Sequence, residues 1–156
     1  KTRSAPESLL RRLTKKGDIP SINALVDIGN LVSIRYALPV AVFDTQALTG
    51  ILTVRFAEGN ERYTELGSND IKHPEKDEVI FADGTGLVFA RRWCWRQSFQ
   101  SAAKMTTSQA LIVVESQHEG GKADVQKAQA DLLDLLKPYV EGEVTHAILD
   151  ADNRQF

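Results

Sequence analysis

Hydrophobic and polar positions along the chain first follow the period of a helix and later the period of a strand. From about Ser21 to Tyr36, apolar residues recur every three to four positions, which predicts an amphipathic helix. The stretch SAPE at 4–7 is a capping-box pattern and predicts an earlier helix that ends at Gly17. A third helix is predicted from about Lys122 to Lys137, before Pro138.

From Pro39 onward, short β-branched and aromatic runs separated by Gly, Asn and Asp predict strands. These runs are PVAVFD, ILTVRFA, EVIFA and GLVFA. The nearly continuous apolar run ALIVVES (110–116) predicts a buried central strand, and VTHAILD (144–150) predicts a late strand. Asp83-Gly84 is typical of a hairpin turn. The order of elements predicts one α+β domain over 1–156, with an antiparallel or mixed central sheet and helices packed on it.

Composition narrows the function classes only slightly. Apolar residues make up 42% of the chain and the formal net charge is −2, so the overall charge indicates neither a nucleic-acid nor a membrane partner. The single cysteine, Cys94, excludes an internal disulfide framework and favours the cytoplasm. No apolar run approaches the ~18 residues of a membrane span. Because the chain begins at Lys1 and its only methionine is Met105, we expect an N-terminal portion to precede it.

The common enzyme motifs are missing from the sequence. The three histidines have no metal-ligand spacing, so no metal and no cofactor is predicted. His118, just before a pair of glycines, is the histidine best placed for a function. Cys94 between two tryptophans and near arginines is interpreted either as a partly buried thiol or as an activated one. No phosphate loop and no Gly-x-Ser-x-Gly elbow is present.

The segment RRWCWRQS interleaves basic and aromatic residues. Arginine forks pair with phosphates and tryptophan faces stack on bases, a combination typical of RNA-binding surfaces. Strand alternation predicts that the two tryptophans share a face opposite two of the arginines, and a core tryptophan with solvated arginines is the alternative. The candidate RNA-binding residues here are Arg91, Arg92, Trp93, Trp95 and Arg96.

The first sixteen residues form a second basic segment with a local charge of about +5, which leaves about −7 on the remainder of the chain. This asymmetry favours an anionic polymer on one side, and a solvated helix face is the alternative. The candidate RNA-binding residues in this segment are Arg11, Arg12, Lys15 and Lys16.

Three polar residues recur along the second predicted helix. Asn23, Asp27 and Asn30 stand at i, i+4 and i+7, and short polar side chains of this kind are poor helix formers. They are interpreted either as a water-satisfied helix face or as a row of donors and acceptors that lines a cleft. We expect Asn30, on the border of the apolar face, to be partly buried with its amide turned towards a cleft.

The stretch SINALVDIGNLVSIRYALPVAVFD resembles the Ile-Asn-Asn-Val-Val-Asp-x-Thr-Asn-Tyr-Val…Gln-Pro-x-His-Ala-Phe-Asp block of the phenylalanyl-tRNA synthetase beta subunit, in its editing module, the B3/B4 domain. The likeness continues through GILTVRFAEGNERYTELGS and HPEKDEVIFADG and fades near Glu115. Asn23, Asp27, Asn30 and Pro39 match the block. The flanking segments look more like free-standing relatives of that module.

The resemblance implies a B3/B4-like α+β module that hydrolyses mischarged aminoacyl-tRNA in trans, as a step of translation quality control. Its partner would be the aminoacylated acceptor end of a tRNA, with no DNA and no membrane. Asn30, Asp27 and Asn23 would line the catalytic cleft. Ligase activity is not expected, because nothing in the chain resembles the ATP-binding motifs of the synthetase. The oligomeric state, the edited amino acid and its tRNA are not predicted.

Two positions depart from the resembled block. Gly29 stands where the family has Thr, and Ala41 stands where it has His, and both belong to the editing pocket of the family. Their loss is expected to open space and to remove hydrogen-bonding groups. Two alternatives therefore stay open: a non-catalytic RNA-binding module that kept the fold, and a small-molecule binding domain.

Overall fold

A computed structural model describes residues 3–93 and 95–156 of the chain. Lys1, which belongs to the basic segment, and Cys94, for which a partly buried or an activated thiol was predicted, lie outside the described residues. The predicted α+β class is confirmed. The elements are α1 (Ala5–Lys16), α2 (Ala24–Tyr36), β1 (Val40–Asp44), a 3-10 turn (Thr45–Ala47), β2 (Thr53–Phe56), β3 (Tyr63–Thr64), β4 (Ile71–Lys72), β5 (Val79–Ala82), β6 (Val88–Arg91), β7 (Arg96–Gln97), β8 (Ala110–Val114) and α3 (Gly121–Leu136).

The strands pair antiparallel in three groups. A four-stranded sheet has the order β2-β5-β6-β7, β1 pairs with β8 in a two-stranded ribbon, and β3 pairs with β4. The turn between β5 and β6 lies where the sequence predicts a hairpin. There the carboxylate of Asp83 accepts hydrogen bonds from the backbone N–H groups of Thr85 and Leu87, at 2.8 and 2.9 Å. This carboxylate therefore fixes the turn.

Local signals explain most helix ends. α1 ends where Gly17 takes a left-handed φ of 76° and its N–H donates to the carbonyl of Leu13 at 2.8 Å. The capping box predicted at its start is not formed, because the side chain of Ser4 makes no cap hydrogen bond and Glu7 pairs with Arg3 instead. α2 begins three residues later than predicted because its cap is Asn23.

The first core lies between the helices and one face of the β1–β8 ribbon. Alternate residues of the strands, such as Val40 and Val114, point towards α2 and α3. The buried members of this core are Ile28, Val32, Leu38, Ala128, Leu132 and Leu136. This packing holds α2, with its polar stripe, against the ribbon.

A second core lies on the other face of the ribbon, against the four-stranded sheet. Ala41 of β1 and Val113 of β8, which are register partners, pack there against buried aromatic side chains. The aromatic members are Phe43, Phe81 and Phe89. The ribbon is thus covered on both sides, by helices on one and by the sheet on the other.

Two strand predictions are wrong in part. ALIVVES forms β8, but β8 pairs with β1 alone and is half-buried rather than central. Its continuous apolar run reflects the two covered faces of the ribbon and not a central position. VTHAILD forms no strand; its backbone is held by the side chain of Gln129 in α3, which donates to the carbonyl of Ala147 at 3.1 Å. None of the described helices has the length and apolar character needed to span a membrane.

Candidate functional site

Asn23 caps the N-terminus of α2 and does not lie on its face. Its Oδ1 accepts a hydrogen bond from the backbone N–H of Val26 at 3.0 Å, and its Nδ2 donates to the carbonyl of Ala103 at 3.1 Å. The residue is only 8% exposed. Its amide therefore joins the start of α2 to a distant loop, which is a structural task.

Asp27 holds the segment that leads into α2. One carboxylate oxygen accepts from the hydroxyl of Ser21 at 2.5 Å, and the other accepts from the backbone N–H of Ile22 at 2.8 Å. An acidic group in the first turn also suits the positive end of the helix dipole. Both oxygens are thus engaged by the chain itself.

Asn30 is the member of the stripe whose amide is available. It is half-buried, and its side chain makes no hydrogen bond in the part of the chain that the structure describes. It lines a surface cleft of about 280 Å³ between α2 and the segment that precedes it. The cleft is otherwise largely apolar and is lined by Ile19, Pro20, Ser21, Asp27, Leu31 and Ile34. Asn30 therefore offers an oriented donor and acceptor beside an apolar wall.

The expectation that Gly29 opens space is wrong. A Cβ built on Gly29 would lie 2.8 Å from a methyl carbon of Val42, so the volume is already filled by that side chain. Gly29 is buried where α2 approaches β1 closely. Ala41 points to the opposite face of β1, because Val40 and Val42 face the helix and strand residues alternate. The two departures therefore lie on different sides of the strand.

The Arg–Trp hairpin, residues 91–93, 95 and 96, is a turn between β6 and β7. Arg92 and Trp93 both have left-handed φ angles, 47° and 62°, and Arg91 pairs with Arg96 across the hairpin. The predicted alternation is wrong because these residues do not continue a strand. Instead, Arg92 and Arg96 both stack on the ring of Trp95, at 5.1 and 4.8 Å from its centroid.

Acidic residues already pair with the arginines of the Arg–Trp hairpin. Arg91 is 9% exposed and donates twice to the carboxylate of Glu78, each time at 2.8 Å. Although burial raises the pKa of Glu78, this bidentate bond outweighs burial and leaves it below its usual value. Arg92 lies within 3.5 Å of the same carboxylate, and Arg96 pairs with Glu65. RNA contact by this hairpin stays a prediction, and its positive charge is largely compensated.

The basic residues of α1 have fewer acidic neighbours. Arg12 lies 3.9 Å from Asp18, a marginal ion pair, and no described residue forms an ion pair with Arg11, Lys15 or Lys16. Together with Arg3 and Ser8, these four side chains line a shallow surface groove of about 280 Å³. The positive potential of the molecule is therefore concentrated on α1 rather than at the Arg–Trp hairpin.

Sequence reasoning did not identify Glu115 as a site residue. Burial raises the pKa of this carboxyl to about 7, and the nearby indole N–H of Trp93 lowers it only in part. The indole N–H lies close enough to the carboxyl to lower its pKa, but neither of the two buried atoms, Oε2 of Glu115 and Nε1 of Trp93, meets the geometry of a full hydrogen bond with a described residue. Such groups are rare in folded proteins and mark candidate functional sites. The signal in the sequence is a lone carboxylate that ends the apolar run of β8.

Glu115 continues the β1–β8 ribbon by one residue. Its backbone N–H donates to the carbonyl of Pro39 at 3.1 Å. By alternation its side chain lies on the face of Val113, which is also the face of Ala41. The position at which the resembled block has His, Ala41, is thus on the same face as the carboxyl of Glu115, which the indole N–H of Trp93 approaches.

Metal ligation has no support in the described part of the chain. Within residues 3–93 and 95–156, no group of three or more His, Cys, Asp or Glu side chains is arranged to hold a metal ion. His73 instead contacts the carbonyl of Glu61 at 2.8 Å.

Comparisons with known proteins match most of the chain to one family and about half of it to individual relatives. A family model described as the B3/4 domain matches residues 1–130. Phenylalanine–tRNA ligase beta subunits are similar: that of Shewanella oneidensis is 33% identical over 87 residues, 56% of this chain and 11% of the relative. That of Neisseria gonorrhoeae is 37% identical over 85 residues, and that of Nitrobacter winogradskyi 39% over 83, each covering 10% of the relative. The chain spans about a tenth of the length of these relatives.

Proposed function

This chain belongs to the B3/4 domain family, and from that premise we propose that it is an editing-type module that hydrolyses the ester of mischarged aminoacyl-tRNA in trans. The relatives are named as subunits of a tRNA ligase, which supports tRNA as the partner. The single observation that carries the hydrolytic part is the close approach of Glu115 and Trp93, whose buried atoms, carboxylate Oε2 and indole Nε1, have no full hydrogen bond among the described residues.

Hydrolysis of an aminoacyl ester needs few groups besides Glu115 and Trp93. An aminoacyl ester is activated, so its hydrolysis needs an oriented water and stabilisation of the charge on the carbonyl oxygen. A carboxyl with a pKa of about 7 is well matched to removing a proton from water at neutral pH. In this proposal Glu115 takes that proton and the indole N–H of Trp93 donates to the developing oxyanion.

The residues of α2 have separate roles in the proposal. Asn30 lines a cleft on the helix side of the β1–β8 ribbon, whereas Glu115 lies on the opposite face, so in the proposal its amide contacts a part of the tRNA away from the reacting ester. Asp27 and Asn23 position the start of α2 through their hydrogen bonds to the entering segment and to Ala103. The basic residues of α1, with their few acidic neighbours, contact tRNA phosphates.

The test is a single-turnover deacylation assay with full-length protein and a panel of mischarged tRNAs. We expect at least one ester to be cleared above its spontaneous rate, with a rate that rises with pH around a midpoint of about 7. Glu115→Gln should reduce that rate by ~10²-fold or more, the scale of a lost general base, and remove the midpoint. Trp93→Phe should cost roughly 10–10²-fold in rate, whereas Asn30→Ala should weaken tRNA binding and leave the rate of the bound ester nearly unchanged.

Glu119→Gln is the matched control, because Glu119 is an exposed acidic residue near Glu115 in the chain. If no ester is cleared above the spontaneous rate while tRNA still binds, the chain is a non-catalytic tRNA-binding module. The filled space at Gly29 favours that alternative, because this departure removes a hydroxyl and leaves no room for substrate there. If neither clearance nor tRNA binding is seen, both readings fail.

A further inference from the structure

A chain of three side chains links the end of β8 to the start of α3. The hydroxyl Oγ of Ser116 lies 2.9 Å from Nδ1 of His118, and Nε2 of the same ring lies 3.0 Å from Oδ2 of Asp124. Nucleophile, base and orienting carboxylate are thus joined by two hydrogen bonds within nine residues of sequence. The side chains of Glu115 and Trp93 do not take part in it.

The hydrogen-bond partners of the His118 ring assign its tautomer. A carboxylate accepts only, so Nε2 of His118 carries the hydrogen that is donated to Asp124. Nδ1 is then the free acceptor, and it receives the hydroxyl hydrogen of Ser116. The hydrogen bond from His118 also holds the pKa of Asp124 below its usual value, so the carboxylate stays ionised at neutral pH. The arrangement is that of an activated hydroxyl.

The structure packs Ser116 against the first turn of α3. A Cβ built on Gly121 would collide with Oγ of Ser116, so glycine is required there for the serine to occupy its position. The N–H groups of the first turn of a helix have no acceptor within the helix and lie at the positive end of its dipole. Two of these N–H groups already donate, that of Gly121 to the carbonyl of His118 and that of Ala123 to the carbonyl of Gly120, so the helix dipole is what favours negative charge near Ser116.

We propose that Ser116, His118 and Asp124 form a second hydrolytic site, independent of Glu115 and tRNA, that acts on small activated carboxylic esters. Oγ of Ser116 attacks the carbonyl carbon while its proton passes to Nδ1 of His118. The bond to the leaving alkoxide then breaks, and the alkoxide takes that proton. Water attacks the acyl-serine by the same route and releases the acid, which restores Ser116.

The openness of the site sets the class of substrate. The side chains of His118 and Asp124 are 55% and 43% exposed, and Ser116 is half-buried. An exposed site excludes little water and provides no deep acyl pocket, so the ester must have a good leaving group and a small acyl chain. Lys127 lies 3.7 Å from the other oxygen of Asp124, so it shares the carboxylate with His118.

The test uses the full-length protein, p-nitrophenyl acetate and a fluorophosphonate probe, without tRNA. We expect ester hydrolysis above the buffer rate and covalent labelling that peptide mass spectrometry locates on Ser116. Ser116→Ala should abolish the labelling, and Ser116→Ala and His118→Gln should each lower the rate by at least ~10-fold. Ser108→Ala changes another exposed serine in a loop and is the matched control.

Asp124 acts through His118, so variants at Asp124 distinguish a role in positioning the imidazole ring from a role in the stability of the fold. Asp124→Asn should lower the rate of labelling, and Asp124→Glu should restore part of it because a carboxylate can again accept from Nε2. Thermal melting of each variant shows whether it is folded. The proposal is overturned if the wild-type protein is not labelled at Ser116, or if folded Ser116→Ala hydrolyses the ester at the wild-type rate.

Discussion

Replacement of Glu115 by Gln should remove a pH-dependent loss of stability. The pKa of this carboxyl rises from 4.5 in the unfolded chain to about 7 in the folded protein, chiefly because burial disfavours the charged form. Below pH 4.5 both states are protonated and the group has no effect on the free energy of unfolding. Between pH 4.5 and 7 the unfolded chain ionises while the folded protein keeps its proton, so that free energy falls.

The size of the expected change in stability follows from how far the pKa of Glu115 is raised. A difference of roughly 2.5 pKa units corresponds to about 3 kcal/mol of unfolding free energy, most of which is lost by pH 7 and the small remainder within about one pH unit above it. Carboxyls whose pKa is lowered act in another pH range: that of Glu61 falls to about 2, so its stabilisation is lost only as the pH falls below 4.5. The loss between pH 4.5 and 7 is therefore expected to come mainly from Glu115.

Urea unfolding of the wild-type protein and Glu115→Gln at several pH values from 4.5 to 8 measures this difference. We expect the two proteins to have similar stability at pH 4.5, and the variant to be more stable by about 2–3 kcal/mol at pH 8. Glu119→Gln, which changes an exposed acidic residue near Glu115, should follow the wild-type curve. Parallel curves for wild type and Glu115→Gln would refute the buried carboxyl and with it the general base.

Two further outcomes concern packing and charge. Gly29→Ala should destabilise the protein by about 1–2 kcal/mol in urea unfolding, because a Cβ would lie 2.8 Å from Val42 and strain outweighs the better helix propensity of Ala. Val42→Ala should relieve that strain in the double variant, and a more stable single variant would contradict the close approach. Lys15→Ala with Lys16→Ala should flatten the salt dependence of tRNA binding by roughly one to two units of slope. Arg92→Ala should change that slope much less; an equal change would place the phosphate contacts at the Arg–Trp hairpin.

The helices and the strands β1, β2, β5 and β6 could be predicted from sequence because their signals are local, whereas the two-residue strands β3, β4 and β7 were not predicted. The period of apolar residues places α2 and α3 to within a few residues, and Asp83-Gly84 marks the β5–β6 turn. The structures of ALIVVES and VTHAILD were less predictable, because an apolar run indicates burial but not which strand lies beside it. The partner of β8 is β1, about 70 residues earlier, and no local pattern encodes that pairing.

The candidate site was less predictable, because its features depend on what distant residues do. The polar stripe was identified, but its members separate in the structure: Asn23 is a helix cap and Asp27 holds a loop. Spacing alone cannot distinguish a residue with two backbone partners from one with none. Glu115 is half-buried, and the indole N–H that approaches its carboxyl belongs to Trp93 in the turn after β6, a contact that no local pattern encodes.

The departures at Gly29 and Ala41 have different consequences, and the structure separates them. On the helix face of β1, Val42 occupies the space beside Gly29, so that face is closed to a ligand. On the opposite face, Ala41 contributes no hydrogen-bonding group, but the carboxyl of Glu115 and the indole N–H of Trp93 lie close together without a full hydrogen bond. A buried donor or acceptor without a full hydrogen bond costs roughly 1–3 kcal/mol, and an apolar pair of similar shape would avoid that cost. The two polar groups on this face are therefore better explained by a function than by stability, which is why the hydrolytic proposal rests on them and not on the face of Gly29.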